Sequence, residues 1–276
     1  VIEDSINNPI EYYKLNISGT INLIETMDKF NCKRLIALSS YQVYGKSGKI
    51  LETDRLAETF ANPYASTKIA VERLYEDLYN SDKDWSIMVL RVFTPIGADE
   101  SRLIGEDYNS VSLTAEINKA ILENKRPVRI NGNNYGTFDK TYARDYVNIT
   151  DVSDAFVKSL KKVRESKEYN AVNIGSGKPT TCANLVKLYE FIGNKKLDVV
   201  YERRMKEELE TVNADCKRAK EVIFWNPTKL LDYSIKTSIE FASNDKNRKT
   251  VIEKELKRKK NKEVLEEVII DNSKEE

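Results

Sequence analysis

Apolar residues recur at helical spacing over residues 9–29, where Tyr13, Ile17, Ile21, Leu23 and Ile24 contribute to one stripe. Asn7 and Asn8 precede Pro9, a cap followed by a proline suited to the first helical position. The pattern then shortens to Arg34-Leu35-Ile36-Ala37-Leu38, an apolar run closed by Ser39-Ser40, which predicts a strand. A second helix is predicted over 63–79 and a buried strand over 85–92. Beyond Thr94 the chain becomes rich in Gly, Asp and Asn. Helical patterns follow near 113–124, 151–163, 182–192, 216–222 and 230–242, and strand patterns near 128–130, 146–149, 170–174 and 195–201. Strands alternating with helices predict an α/β fold built on a parallel sheet. From about residue 244 Lys, Arg and Glu dominate, as in a solvated tail.

Composition narrows the chemistry. The 276 residues carry a net charge of +1, so no basic face for nucleic acid or an anionic membrane is expected. No apolar run is long enough to span a bilayer. Cys32, Cys182 and Cys216 are few and scattered, consistent with reduced thiols and a cytoplasmic location. There is no histidine, which excludes Ser-His-Asp and Cys-His mechanisms and any histidine-ligated metal. No metal site is expected, and acid–base work falls to Tyr, Lys, Asp, Glu or Cys. The ten glycines form no GxGxxG or GxxGxxG loop of the kind that cradles a dinucleotide diphosphate. The chain also starts in a helix without the strands that normally precede it, so it is expected to lack the N-terminal part of such a fold.

Tyr64 and Lys68 lie four apart at the start of a predicted helix and share a face. An ammonium beside a phenol favours the phenolate, which predicts a lowered pKa and a usable base. The spacing alone is weak, because 15 tyrosines in a lysine-rich chain give about two such pairs by chance, and Tyr79/Lys83 is another. Context strengthens it: Ser39-Ser40 ends a strand where open α/β sheets place ligands.

Leu38-Ser39-Ser40-Tyr41-Gln42-Val43-Tyr44-Gly45 followed by Asn62-Pro63-Tyr64 through Lys68 resembles the extended short-chain dehydrogenases, specifically the UDP-glucose/UDP-galactose 4-epimerases. Further similar segments follow in family order: residues 9–20, Arg91 to Gly97, Asn131-Gly132-Asn133, Arg144-Asp145-Tyr146-Val147, Gly175-Ser176-Gly177 and Ala214-Asp215. The resemblance covers residues 1–242. It implies a Rossmann-like parallel sheet lacking its N-terminal strands and glycine loop, with a smaller C-terminal substrate lobe. The corresponding division is a partial NAD-binding domain over 1–95, a mixed segment over 96–243 forming most of the nucleotide-sugar lobe and returning to the sheet, and a charged tail over 244–276.

The resemblance also implies NAD as cofactor, contacted by Asn16, Ser40, Tyr64, Lys68 and Phe93, and a UDP-sugar contacted by Thr94, Asn131, Arg144, Arg204 and Glu207. Tyr64 is then the acid–base residue at the C4 hydroxyl, Ser40 its relay, and Lys68 the ribose ligand that lowers the tyrosine pKa. A homodimer through the helices at 9–29 and 63–79 is implied as well. Tyr41 and Gln42 stand where dehydratases and decarboxylases carry a carboxylate, which disfavours those reactions. Thr94 is more like the glucuronate 4-epimerases. Val212 falls at the residue that gates the sugar pocket, and its small size predicts tolerance of N-acetylhexosamines. The competing expectation is an inactive fragment or non-catalytic binding subunit, because the diphosphate loop is missing.

Overall fold

The computed structural model describes residues 2–57, 62–123, 126–205 and 208–244. Glu207 and the charged stretch from residue 245 therefore lie outside the described residues. The elements are α1 (Ile2–Asn7), α2 (Pro9–Tyr13), a π-helical stretch (Lys14–Ser18), α3 (Gly19–Lys29), β1 (Arg34–Ser40), a 3-10 turn (Tyr41–Tyr44), β2 (Gly48–Ile50), α4 (Pro63–Ser81), β3 (Ser86–Val92) and β4 (Thr94–Ile96). They continue with α5 (Leu113–Leu122), β5 (Val128–Asn131), β6 (Ala143–Asn148), α6 (Ile149–Glu165), β7 (Tyr169–Ile174), β8 (Pro179–Thr181), α7 (Cys182–Ile192), β9 (Val199–Glu202), β10 (Val212–Ala214), α8 (Lys217–Ile223) and α9 (Leu231–Ser243).

Three parallel strands in the order β1-β3-β7 form the main sheet. Strand β3 is buried at every position because helices cover both faces. Ile87 and Val89 face Val71 and Tyr75 of α4 and Ile24 of α3. The alternate residues Met88, Leu90 and Val92 face Val152 and Ala155 of α6 and Ile223 of α8. The expected Rossmann-like α/β class is therefore the one observed. Strand β7 ends the sheet on one side, and side chains occupy the outward hydrogen-bonding groups there. Glu52 Oε1 accepts from the Asn173 amide at 2.7 Å, and Arg218 Nε donates to the Ala171 carbonyl at 3.1 Å. On the other side β1 has no further strand among the described residues.

A second core gathers α5, α7 and α9 around β5, β6 and β9, with Ile117, Val128, Ile130, Leu185, Tyr189 and Ile235 at its centre. Two expectations need correction. Asn8 makes no cap bond of its own, since α1 precedes it; its side-chain amide instead donates to Asp4 Oδ1 at 2.9 Å. The helix expected over 9–29 keeps its path but widens to a π-helical turn over Lys14–Ser18.

Candidate functional site

Ser40 closes β1 at the C-terminal edge of the sheet, and the chain turns at once into Tyr41–Tyr44. Ser40 Oγ accepts from the Gln42 amide at 3.3 Å, and Gly45, at φ 58°, ends the turn in the left-handed region. Val43 and Tyr44 are buried beneath it, so the turn is anchored from below. The Tyr44 hydroxyl donates to Asn173 Oδ1 at 2.7 Å and accepts from Arg91 Nη1 at 2.8 Å.

Helix α4 starts opposite this turn. Asn62 caps it by accepting from the Ala65 amide at 2.9 Å, with Pro63 in the first helical turn. The same Asn62 donates through Nδ2 to Gln42 Oε1 at 3.1 Å, tying the helix start to the strand end. Tyr64, Lys68 and Glu72 follow at intervals of four on one face. The Tyr64 phenol and the Ser40 hydroxyl come close enough for Ser40 to act on the phenol's ionisation. Lys68 Nζ lies 5.8 Å from the centre of the Tyr64 ring and donates to the Leu38 carbonyl at 3.0 Å. Glu72 pairs with Arg91 on β3, both side chains nearly inaccessible. Asn16, on the π-helical turn, donates to Thr67 Oγ1 at 2.9 Å and so reaches the residue beside Lys68. A π-helical turn bulges the helix and re-aims such a side chain.

The electrostatics correct one expectation. Burial pushes the Tyr64 phenol above its ordinary value, the Ser40 hydroxyl opposes this, and the nearby Tyr41 phenol adds to it. Burial also lowers the Lys68 ammonium, with Glu72 acting in the opposite sense. The expected lowering of Tyr64 by Lys68 is thus not present in the protein alone, because desolvation of the phenol dominates and the ammonium is itself turned toward a carbonyl.

A cleft of about 350 Å³ is lined by Tyr41, Thr94, Asn131, Arg144, Tyr146 and Glu208, among others. Arg144 is buried in the cleft wall, paired with Glu208, stacked 4.6 Å from the Tyr142 ring and donating to the Leu209 carbonyl at 2.8 Å. Asn131 donates to Met205 Sδ at 3.1 Å. Asp145, on the opposite side of β6, holds the wall in place. Its carboxylate accepts from the amides of Ser176 (2.6 Å), Gly177 (2.8 Å) and Ala214 (2.9 Å).

The structure thus brings Ser40, Tyr64, Lys68 and Asn16 together and puts Thr94, Asn131 and Arg144 on one cleft. Phe93, Arg204 and Val212 do not line that cleft. Phe93 is buried and stacks on Tyr41 with ring centres 5.5 Å apart, so its side chain supports the wall from behind. Arg204 is exposed and lies 4.0 Å over the Tyr135 ring, outside the cleft lining. Glu207 lies outside the described residues. Val212 is fully buried among Val43, Tyr44, Ile50 and Ile69 and does not line the cleft. Tyr41, Tyr142, Tyr146 and Glu208 were not anticipated as cleft residues. Alternation carries a signal for two of them, since 142, 144 and 146 share one face of an extended chain. Among the described residues, no group of three or more Cys, Asp or Glu is arranged to hold a metal ion. No helix there is long and apolar enough to cross a membrane.

Residues 1–175 match the family described as "NAD dependent epimerase/dehydratase family", and the chain belongs to that family. Its relatives include UDP-glucose 4-epimerases: one from Bacillus subtilis is 32% identical over 252 residues, 89% of this chain and 73% of that protein. Another, from Cyamopsis tetragonoloba, is 31% identical over 247 residues, 88% of this chain and 71% of the relative. A rice UDP-glucose 4-epimerase 2 is 33% identical over 228 residues, 81% of this chain but 56% of the relative. Among solved structures, UDP-glucose 4-epimerase from Bifidobacterium longum in complex with NAD+ and UDP superposes with a TM-score of 0.84 at 29% identity, covering 90% of this chain and 74% of that one. The UDP-glucose 4-epimerase from Stenotrophomonas maltophila, with bound NAD and formylated UDP-arabinopyranose, gives 0.83 at 27% identity, covering 88% and 73%.

Proposed function

We propose that this chain carries the acid–base group and the sugar-nucleotide cleft of an NAD-dependent UDP-sugar 4-epimerase. The observation that carries the reading is the meeting of Ser40 and Tyr64, with Lys68 5.8 Å from the Tyr64 ring, next to a cleft lined by the buried Arg144. Tyr64 takes the proton from the sugar C4 hydroxyl and later gives it back, while Ser40 holds the phenol in line. Arg144 offers a forked donor to the diphosphate, exchanging its Glu208 partner for phosphate oxygens. Asn131 and Thr94 line the same cleft.

The residues fit one end of NAD. Lys68 keeps donors beyond its bond to the Leu38 carbonyl, so the C-terminal end of β1 offers a charged donor to a ribose. Asn16 reaches the same region. The cofactor supplies the hydride acceptor and donor for C4. Its diphosphate has no glycine-rich loop in this sequence to receive it. That favours a second reading, in which the chain alone binds the sugar nucleotide without catalysis. We also propose pairing of two copies through α2, α3 and α4, since Ile10, Tyr13, Leu15 and Leu23 leave apolar surface exposed there; sedimentation at micromolar concentration tests it.

Denaturing the purified chain and quantifying released NAD, alongside conversion of UDP-glucose to UDP-galactose, tests the main reading. Near-stoichiometric NAD with turnover supports it. UDP binding with no NAD and no turnover leaves the second reading, and no UDP binding refutes both.

A further inference from the structure

Tyr41 stands at a junction between two cavities. Besides the cleft of about 350 Å³, a chamber of only about 30 Å³ lies behind the same ring, bounded by Gln42, Gly45, Asn62 and Leu209. Tyr41 lines both, as do Ile2, Arg144 and Glu208, and of these Tyr41 directly follows Ser40. The small chamber is about the share of liquid volume taken by one water molecule, too little for an amide substituent. Its lining is mostly apolar, and on one side Asn62 Nδ2 donates to Gln42 Oε1 at 3.1 Å.

Tyr41 is also held firmly. Its ring stacks on Phe93 at 5.5 Å with 28° between planes, and it packs against the cluster that contains Val212. The space that a small residue at 212 was expected to open is therefore closed on the cleft side by the Tyr41 ring. Tyr41 directly follows Ser40, the partner of Tyr64, so this partition stands at the reacting end of the cleft.

Building on the epimerase reading, we infer that Tyr41 is the residue that sets the size of the sugar, admitting UDP-hexoses with a bare C2 hydroxyl and rejecting those with a C2 acetamido group. The rejection is steric: a wall stands against the larger competitor, and the smaller sugar needs no added attraction. Tyr41→Ala joins the two chambers and gives the acetamido group room beside Gln42 and Asn62. Tyr41→Phe keeps the wall and removes only the hydroxyl.

Calorimetric titration of the full chain with UDP, UDP-glucose and UDP-N-acetylglucosamine tests this without requiring turnover. The wild type should bind UDP-glucose at least about tenfold more tightly than UDP-N-acetylglucosamine. Tyr41→Ala should bring the two within about threefold, through tighter binding of the acetamido sugar, and Tyr41→Phe should retain the wild-type ratio. Tyr41→Leu keeps apolar contact with Phe93 and serves if the alanine variant does not fold; it should narrow the ratio partway. Equal binding of both sugars by the wild type, or an unchanged ratio in a folded alanine or leucine variant that still binds UDP, overturns the assignment of Tyr41 alone. Failure of the wild type to bind UDP overturns the epimerase reading and this inference with it.

Discussion

Glu72 and Arg91 offer the sharpest test of how the site is held. Glu72 extends the Tyr64/Lys68 face of α4 by one turn, and Arg91 sits on the central strand β3. Arg91 Nε and Nη2 both donate to Glu72 Oε2, at 3.0 and 2.7 Å, and Nη1 donates to the Tyr44 hydroxyl. Side-chain accessibility is 7% for Arg91 and 1% for Glu72, so the pair is not rescued by water. Glu72→Leu leaves a buried guanidinium with its carboxylate gone, a change that costs about 3–5 kcal/mol. For a domain of this size that is a fall in Tm of roughly 6–20 °C. The double variant Glu72→Leu/Arg91→Met replaces the pair with apolar groups and should recover most of the loss, to within about 1 kcal/mol of the parent. Urea unfolding of parent, two singles and double completes the cycle. A single variant costing less than about 1 kcal/mol, or a double as unstable as the worse single, refutes the argument that the pair is buried and mutually dependent.

Three further outcomes follow from the site and its surroundings. Tyr64→Phe in protein loaded with NAD should lower UDP-glucose epimerisation by roughly 10²–10⁴-fold, with UDP affinity by calorimetry unchanged within about threefold. Glu208→Gln frees Arg144 from its competing carboxylate and should tighten UDP binding by roughly five- to tenfold, an effect that shrinks in high salt. Stability should fall in alkali: burial raises the thiols of Cys182 and Cys216 from 9.0 to about 12, and the phenols of Tyr64, Tyr146 and Tyr189 above the ordinary 10.0. Because folded values exceed unfolded ones, these groups stabilise fully below the unfolded values, and that contribution is lost as pH rises; urea midpoints should decline from about pH 9 and more steeply above about pH 10.

Much of the main sheet was legible because β1 and β3 are unbroken apolar runs. Strand β6 was harder to read. Arg144 and Asp145 interrupt its pattern, and only the paired carboxylate of Glu208 and the amides around Asp145 make their burial tolerable. The three-residue strands β2, β4, β8 and β10 are too short to show a period. At the site, Ser40, Tyr64 and Lys68 were readable because a strand end and a helix start fix them locally. Tyr41 was noticed only as a missing carboxylate. Its position between two cavities depends on Phe93, Asn62 and Leu209, which lie far apart in sequence, and no local pattern encodes such a meeting.

The outward groups of β7 are taken by Glu52 and Arg218, and along β1 the Leu38 carbonyl is taken by Lys68, the lysine of the candidate site. The two borders of the sheet therefore differ in what guards them: on β7 residues away from the site, on β1 a residue of the site itself. An aggregating chain finds no template along β7, since both side chains must first be displaced. A strand that joins along β1 arrives beside Ser39, Ser40 and Lys68. Growth of the sheet there and completion of the chemical site thus share one margin of the molecule.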